Sequence, residues 1–247
     1  MLRPLALAAV TLASLATGAG AQSLGEIRSL SFDGGIGATF GPDYMGADDY
    51  GTSPWIILRN GQINDATGEK QGLSILPSLD YHGKRDAGDH DDLTGMDDIS
   101  AAGELGVRLN YVMGGVTGYG AVRKGLGGHH GVTGELGARF RNQPQDKLTL
   151  TTAAELRFGN GEFTDTYFGV SEGESLSSGY APYDAGGGIY AARLSVEARY
   201  EFLPDTLLMG RFTYSRLLGD AADSPIVHER NQPAFSIGVA RHLNFRF

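Results

Sequence analysis

Hydrophobic and polar residues alternate along much of this chain. Ile99, Leu105, Val107, Leu109, Tyr111 and Met113 fall on one set of alternate positions, with Ser100, Glu104, Arg108 and Asn110 on the other. A period of two puts successive side chains on opposite faces of a β-strand, so the segment predicts one long strand with an apolar and a polar face. Leu148, Leu150, Ala154, Leu156 and Phe158 repeat the pattern against Thr149, Thr151, Glu155 and Arg157. Tyr190, Leu194, Val196, Tyr200 and Phe202 do so against Arg193, Ser195, Glu197, Arg199 and Glu201. Strands of ten or more residues exceed the roughly five or six usual in soluble sheets and match the roughly 9 to 11 that cross a bilayer at a tilt.

The same reading yields strands at 30–40, 54–63, 70–82, 99–113, 116–124, 132–141, 147–158, 188–202, 206–217 and 232–247. The connections alternate in length: 41–53, 83–98, 125–131, 159–187 and 218–231 are long, whereas 64–69, 114–115, 142–146 and 203–205 are short. That asymmetry predicts an all-β, up-and-down antiparallel transmembrane barrel of about ten strands, in the range of roughly 8 to 12, with short periplasmic turns and long outward loops. A soluble up-and-down barrel would turn its apolar face inward and its charged face to water. Here the polar faces carry Glu and Arg while small and aromatic residues sit opposite, which fits lipid outside.

Glu104 and Arg108, Glu135 with Arg139 and Arg141, Glu155 and Arg157, Glu197 with Arg193 and Arg199, and Arg211 all fall on inward faces. A ten-stranded barrel is little wider than the eight-stranded case that side chains fill, and buried charge is tolerated when paired, so these groups are expected to pair across the lumen and close it. A wet lumen with weak pairing is the alternative. Phe40, Tyr44, Trp55, Tyr81, Tyr111, Phe158, Tyr200 and Phe202 cluster near strand ends, as expected of two interfacial girdles.

Arg3, the apolar run 5–16 and the small residues Ala19, Gly20 and Ala21 read as a secretory signal over 1–21. The expected organisation is then a periplasmic lead-in at 22–29 and a single barrel at 30–247. Glycine is abundant, at 38 residues, without the period of collagen. Cysteine is absent, which excludes disulfides, thiol catalysis and a lipoprotein anchor. With 20 basic against 29 acidic residues, the chain lacks the basic face that nucleic acid requires.

Signals for chemistry are weak. Gly169-Val170-Ser171-Glu172-Gly173 matches G-x-S-x-G, but a nucleophile elbow needs a strand-to-helix turn on an α/β sheet, and here the match lies in a Gly/Ser-rich loop. Asp86, Asp89, Asp91, Asp92, Asp97 and Asp98 crowd one loop with His82 and His90 without the spacing of a calcium loop, so a solvated acidic loop is expected. His82, His90, His129, His130 and His228 fall in or beside outward loops. Neither catalysis, nor a cofactor, nor a metal is assigned to them.

Four stretches are informative together: Gly41-Pro42-Asp43-Tyr44-Met45-Gly46, Tyr167-Phe168-Gly169-Val170-Ser171, Tyr183-Asp184-Ala185-Gly186-Gly187-Gly188, and Gly219-Asp220-Ala221-Ala222-Asp223-Ser224-Pro225-Ile226-Val227. They resemble the MipA/OmpV family of outer-membrane proteins. The C-terminal Leu243, Phe245 and Phe247 resemble the aromatic signal read by the barrel-assembly machinery, although Arg241 interrupts the alternation. The resemblance implies a barrel in the cell outer membrane, in contact with lipid and lipopolysaccharide, that scaffolds murein enzymes such as a lytic transglycosylase and a penicillin-binding protein. The reading from sequence is therefore a structural protein without chemistry of its own. A narrow solute channel and a rim enzyme acting on lipid or peptide are the alternatives.

Overall fold

The computed structural model describes residues 29–63 and 71–246. The expected signal segment, all but the last residue of the lead-in, and Phe247 lie outside the described residues.

Ten strands form one antiparallel sheet: β1 (Ser29–Pro42), β2 (Tyr50–Ile63), β3 (Gly72–His82), β4 (Ala102–Met113), β5 (Val116–Gly127), β6 (Val132–Gln145), β7 (Leu148–Gly159), β8 (Gly188–Leu203), β9 (Thr206–Leu217) and β10 (Asn231–Arg246). Their order is β2-β1-β10-β9-β8-β7-β6-β5-β4-β3. The sheet is curled, with polar residues such as Asp33, Glu104, Arg123 and Glu135 buried inside and Ile36, Leu79, Val107 and Leu136 exposed outside. First and last strands are zipped together from Ser29↔Arg246 to Phe40↔Phe235. Among the described residues the sheet is open between β2 and β3, which form its edges. Both edges contain a proline, Pro54 and Pro77, each paired on one side only. Proline cannot donate to a ladder, so an edge is where it costs least.

Close packing of β1 on β10 rests on glycine. A Cβ at Gly35 would come within 2.2 Å of the Val239 carbonyl oxygen, and one at Gly37 within 2.2 Å of that of Ile237. Short turns join strands at one end. Gly114 takes a left-handed φ of 61° in the β4–β5 turn, and Asp205 a φ of 56° in the β8–β9 turn. The expected turn at 142–146 is mostly strand, because β6 continues through an irregularity between Asn142 and Gln145.

At the other end the long connections fold. They contain α1 (Gly161–Phe168), α2 (Glu172–Ser178), α3 (Gly219–Asp223) and two 3-10 turns, Ala87–Asp89 and Asp91–Leu93. Phe163, Phe168, Leu93, Val170 and Ile226 from these segments are essentially inaccessible to solvent.

Candidate functional site

Three features meet inside this wall: a charged lumen, an apolar lumen wall and the cap of folded connections.

The charges pair, but between strands. Glu135 on β6 receives Arg108 from β4 and Arg123 Nη2 from β5, the latter at 2.9 Å. Arg123 Nε donates to Ser78 Oγ on β3 at 2.7 Å. Arg157 on β7 reaches over three strands to Asp80 on β3, its Nη2 donating to Oδ2 at 2.5 Å. Glu155 accepts from the Tyr119 hydroxyl at 2.8 Å and lies 3.4 Å from Arg193. Glu197 pairs with Arg211, and Arg199 with Asp33 at 3.2 Å, an acid that His242 also meets at 2.8 Å. Adjacent same-strand charges are thus split: Arg108 goes to Glu135 while Glu104 turns to histidines, and Arg157 goes to Asp80 while Glu155 takes Arg193. Arg139 and Arg141 line the remaining cavity of about 320 Å³. The fork of arginine donors suits such multiple pairing, and each buried charge requires its partner.

The opposite wall is apolar. Trp55 and Ile57 on β2, Leu207 and Met209 on β9, and Ala240 on β10 form one buried cluster. The Arg211 guanidinium lies 5.0 Å over the Trp55 ring, joining this wall to the charged one. Trp55 is therefore a lumen residue and not part of a girdle. Tyr44 also leaves the girdle, packing in the cap with Leu93 and Ile226. Burial pushes its hydroxyl well above the ordinary tyrosine range. Phe40, Tyr81, Tyr111, Tyr200 and Phe202 do lie on the outer face. So does Phe245, stacked on Phe32 with ring centroids 6.0 Å apart.

The cap is held by helix-end chemistry that the sequence carries. Asn160 Oδ1 accepts from Phe163 N at 3.2 Å, starting α1, and from Val132 N at 2.8 Å, which ties the helix to β6. The Phe163, Tyr167 and Phe168 spacing then turns one face of α1 onto Tyr190 and Leu217. Ser171 starts α2 with a capping box, its hydroxyl accepting from Glu174 N and the Glu174 carboxylate accepting from Ser171 N. The serine of the G-x-S-x-G match is thus a helix cap. Glu174 Oε1 also accepts from Asp97 N at 3.0 Å, anchoring the acidic connection. That connection is not simply solvated, because Ala87, Leu93 and Met96 are buried in the cap while its aspartates stay outside.

Beneath α1, the end of β3 supplies His82, β4 supplies Glu104, and the β5–β6 connection supplies His129. His82 Nε2 and His129 Nε2 lie 3.2 and 3.3 Å from the same atom, Glu104 Oε1. Thr133 Oγ1 donates to the other carboxylate oxygen at 2.7 Å. Phe163 and Tyr167 wall both imidazoles, with centroids 5.2 to 5.6 Å away. Burial, aided by neighbouring His82, lowers the pKa of His129. Burial and the Glu104 charge push the Tyr167 hydroxyl up to about 12. Sequence spacing leaves this group invisible, since its members stand in three separate elements and Glu104 has Arg108 as an apparent partner. A second group, Asp48, Asp92 and His228, gathers on the outside of the cap.

No helix among the described residues is long and apolar enough to cross a membrane; the strands carry the apolar outer face. The protein is an outer-membrane β-barrel with a charge-crossed lumen and a folded cap. It belongs to the MltA-interacting protein MipA family, which it matches over residues 34–243. The MltA-interacting protein of Escherichia coli (strain K12) is 28% identical over 184 residues, 71% of this chain and 70% of that protein. YiaT of the same organism, named for the outer membrane, is 32% identical over 115 residues, 47% of this chain. The match spans 46% of the length of YiaT. Among solved structures, the NanC porin is similar at 10% identity with a TM-score of 0.42, over 87% of this chain and 100% of that one.

Proposed function

We propose that this protein is a closed post in the outer membrane that holds murein-processing enzymes at their substrate, and that it neither conducts solutes nor catalyses a reaction. The observation that carries the reading is the reach of Arg157 over three strands to Asp80 beneath a packed cap. Filling a small lumen with paired charge favours a rigid wall over a diffusion path. The Escherichia coli relative is named for an interaction with MltA, and the family resemblance implies a lytic transglycosylase as partner, with a penicillin-binding protein as the synthetic counterpart. Ser171 is engaged as a cap, which argues against a serine nucleophile at the rim. The apolar outer face meets lipid and lipopolysaccharide, and Leu243 and Phe245 take part in the terminal signal for the barrel-assembly machinery.

A periplasmic partner would meet the lead-in, the short turns and the C-terminal rim. That surface is small beside the roughly 800 Å² that each partner buries in a stable complex. Co-localisation at one membrane then supplies the missing affinity through effective concentration. Crosslinked envelopes test the reading. Altering 142–146 together with 22–29 is expected to lower recovery of lytic transglycosylase while the barrel stays folded, and altering 83–98 is not. Recovery that depends on 83–98 alone would favour an outward role instead. In planar bilayers the wild-type protein is expected to give no stable steps of porin size.

A further inference from the structure

We propose that His82, Glu104 and His129 bind a divalent transition-metal ion of the zinc type, which clips the free edge strand β3 to β4 and to the β5–β6 connection under the cap. One donor atom from each residue lies within 4.8 Å of the others, and the two edges through Glu104 Oε1 measure 3.2 and 3.3 Å. Tetrahedral zinc, with bonds of about 2.0 to 2.2 Å, holds its ligand atoms about 3.3 Å apart. The two edges through Glu104 match that spacing, and the third, between the imidazoles, is at most 4.8 Å.

His82 Nε2 is hydrogen-bonded to Glu104 Oε1 at 3.2 Å, but that bond leaves His129 unmatched, and several observations favour an ion shared by all three residues. His129 is 2% exposed, yet neither of its ring nitrogens makes a hydrogen bond, so its 3.3 Å approach to Glu104 lacks hydrogen-bond geometry. A buried imidazole without partners is costly, and a metal would satisfy it. Thr133 fixes Glu104 Oε2 and leaves Oε1 aimed at both rings, the outer support that metal-binding carboxylates commonly have. The chain also keeps room for the ligand: a Cβ at Gly125 would lie 2.2 Å from the His129 ring. The Tyr167 hydroxyl is a second buried polar group without a partner beside the cluster. Two imidazoles and one carboxylate suit zinc and its first-row neighbours, whereas calcium and magnesium prefer all-oxygen shells.

The test uses the full barrel, folded in detergent, stripped with chelator and titrated with Zn²⁺ by calorimetry. One equivalent is expected to bind, and X-ray absorption of the zinc-loaded wild type is expected to show two imidazole ligands. His82→Ala and His129→Ala, with heat-modifiable gel mobility confirming a folded barrel, are expected to weaken binding by more than about 100-fold, beyond the effect of losing an outer hydrogen-bond partner. His228→Ala is expected to leave it unchanged. Absence of stoichiometric binding by the wild type, fewer than two imidazoles in its spectrum, or binding that survives His129→Ala but not His228→Ala would overturn the assignment. The wild-type spectrum decides the matter even if the histidine variants do not fold.

Discussion

The two walls of the lumen fill the same space by opposite means. From β3 to β8 the wall is built of charges whose partners stand on other strands, as Arg157 with Asp80 and Glu135 with Arg108 and Arg123. On β2, β9 and β10 the apolar cluster of Trp55, Ile57, Leu207, Met209 and Ala240 fills the space, with Arg211 and the Asp33–His242 pair alongside. Charged contacts are directional: removing one member strands the other in a poorly solvated place. Apolar contacts have no direction, and the loss from truncating one scales with the volume removed. The charged wall thus fixes which strands face each other, and the apolar wall adds cohesion that tolerates change by degrees.

The largest effect is expected from Glu135→Ala. It leaves two arginines without their shared carboxylate, whose side chain is only 4% exposed, and should cost about 3 to 5 kcal/mol. Urea unfolding in lipid vesicles, followed by the fluorescence of Trp55, the single tryptophan, measures it. A loss under about 1 kcal/mol, the scale of exposed pairs, would mean that water replaces the carboxylate and that the charged wall is not closed. Ile57→Val on the apolar wall is expected to cost about 1 kcal/mol in the same assay, one methylene from a fully buried side chain. A cost equal to that of Glu135→Ala would erase the distinction between the walls.

The smallest effect lies outside the lumen. Burial alone would raise the Glu174 carboxyl, but hydrogen bonds from the Asp97 and Ser171 backbones outweigh it and hold the group below its ordinary 4.5. A depressed carboxyl adds stability above the unfolded value and loses it as pH falls through the folded one. The Asp97 anchor should therefore loosen as pH falls below about 4.5, with a smaller cost than either lumen variant because the group is partly open to solvent. Hydrogen exchange at the Asp97 amide reads this, and Glu174→Gln should abolish the pH dependence without altering lumen stability.

How much of this is legible in the sequence follows from what alternation encodes. Period two assigns a face, so β4, β7 and β8 and their inward charges can be read directly. It does not assign partners, which depend on the stagger and curl of the whole sheet; Glu104 therefore looks bound for Arg108 and instead meets His82 and His129. At Trp55-Ile56-Ile57-Leu58 four apolar residues run together, so the face of Trp55 cannot be read there. The cap helices do leave signals. Asn160 precedes Phe163, Thr164, Tyr167 and Phe168 at helical spacing, and Ser171 stands three residues before Glu174, the pattern of a capping box. Their shortness hides them in a glycine- and serine-rich connection.

Pairing of the first strand with the last also sets an order of events. Joining β1 to β10 brings together residues separated by about 200 positions, a long-range contact that forms late because chain closure must precede any reward from it. Among the described residues β2 is hydrogen-bonded to the sheet only through β1, and β1 to the remaining strands only through β10. The hairpin made first in synthesis must therefore wait for the strand made last. A chain cut short before β10 leaves β1 and β2 without a place in the wall.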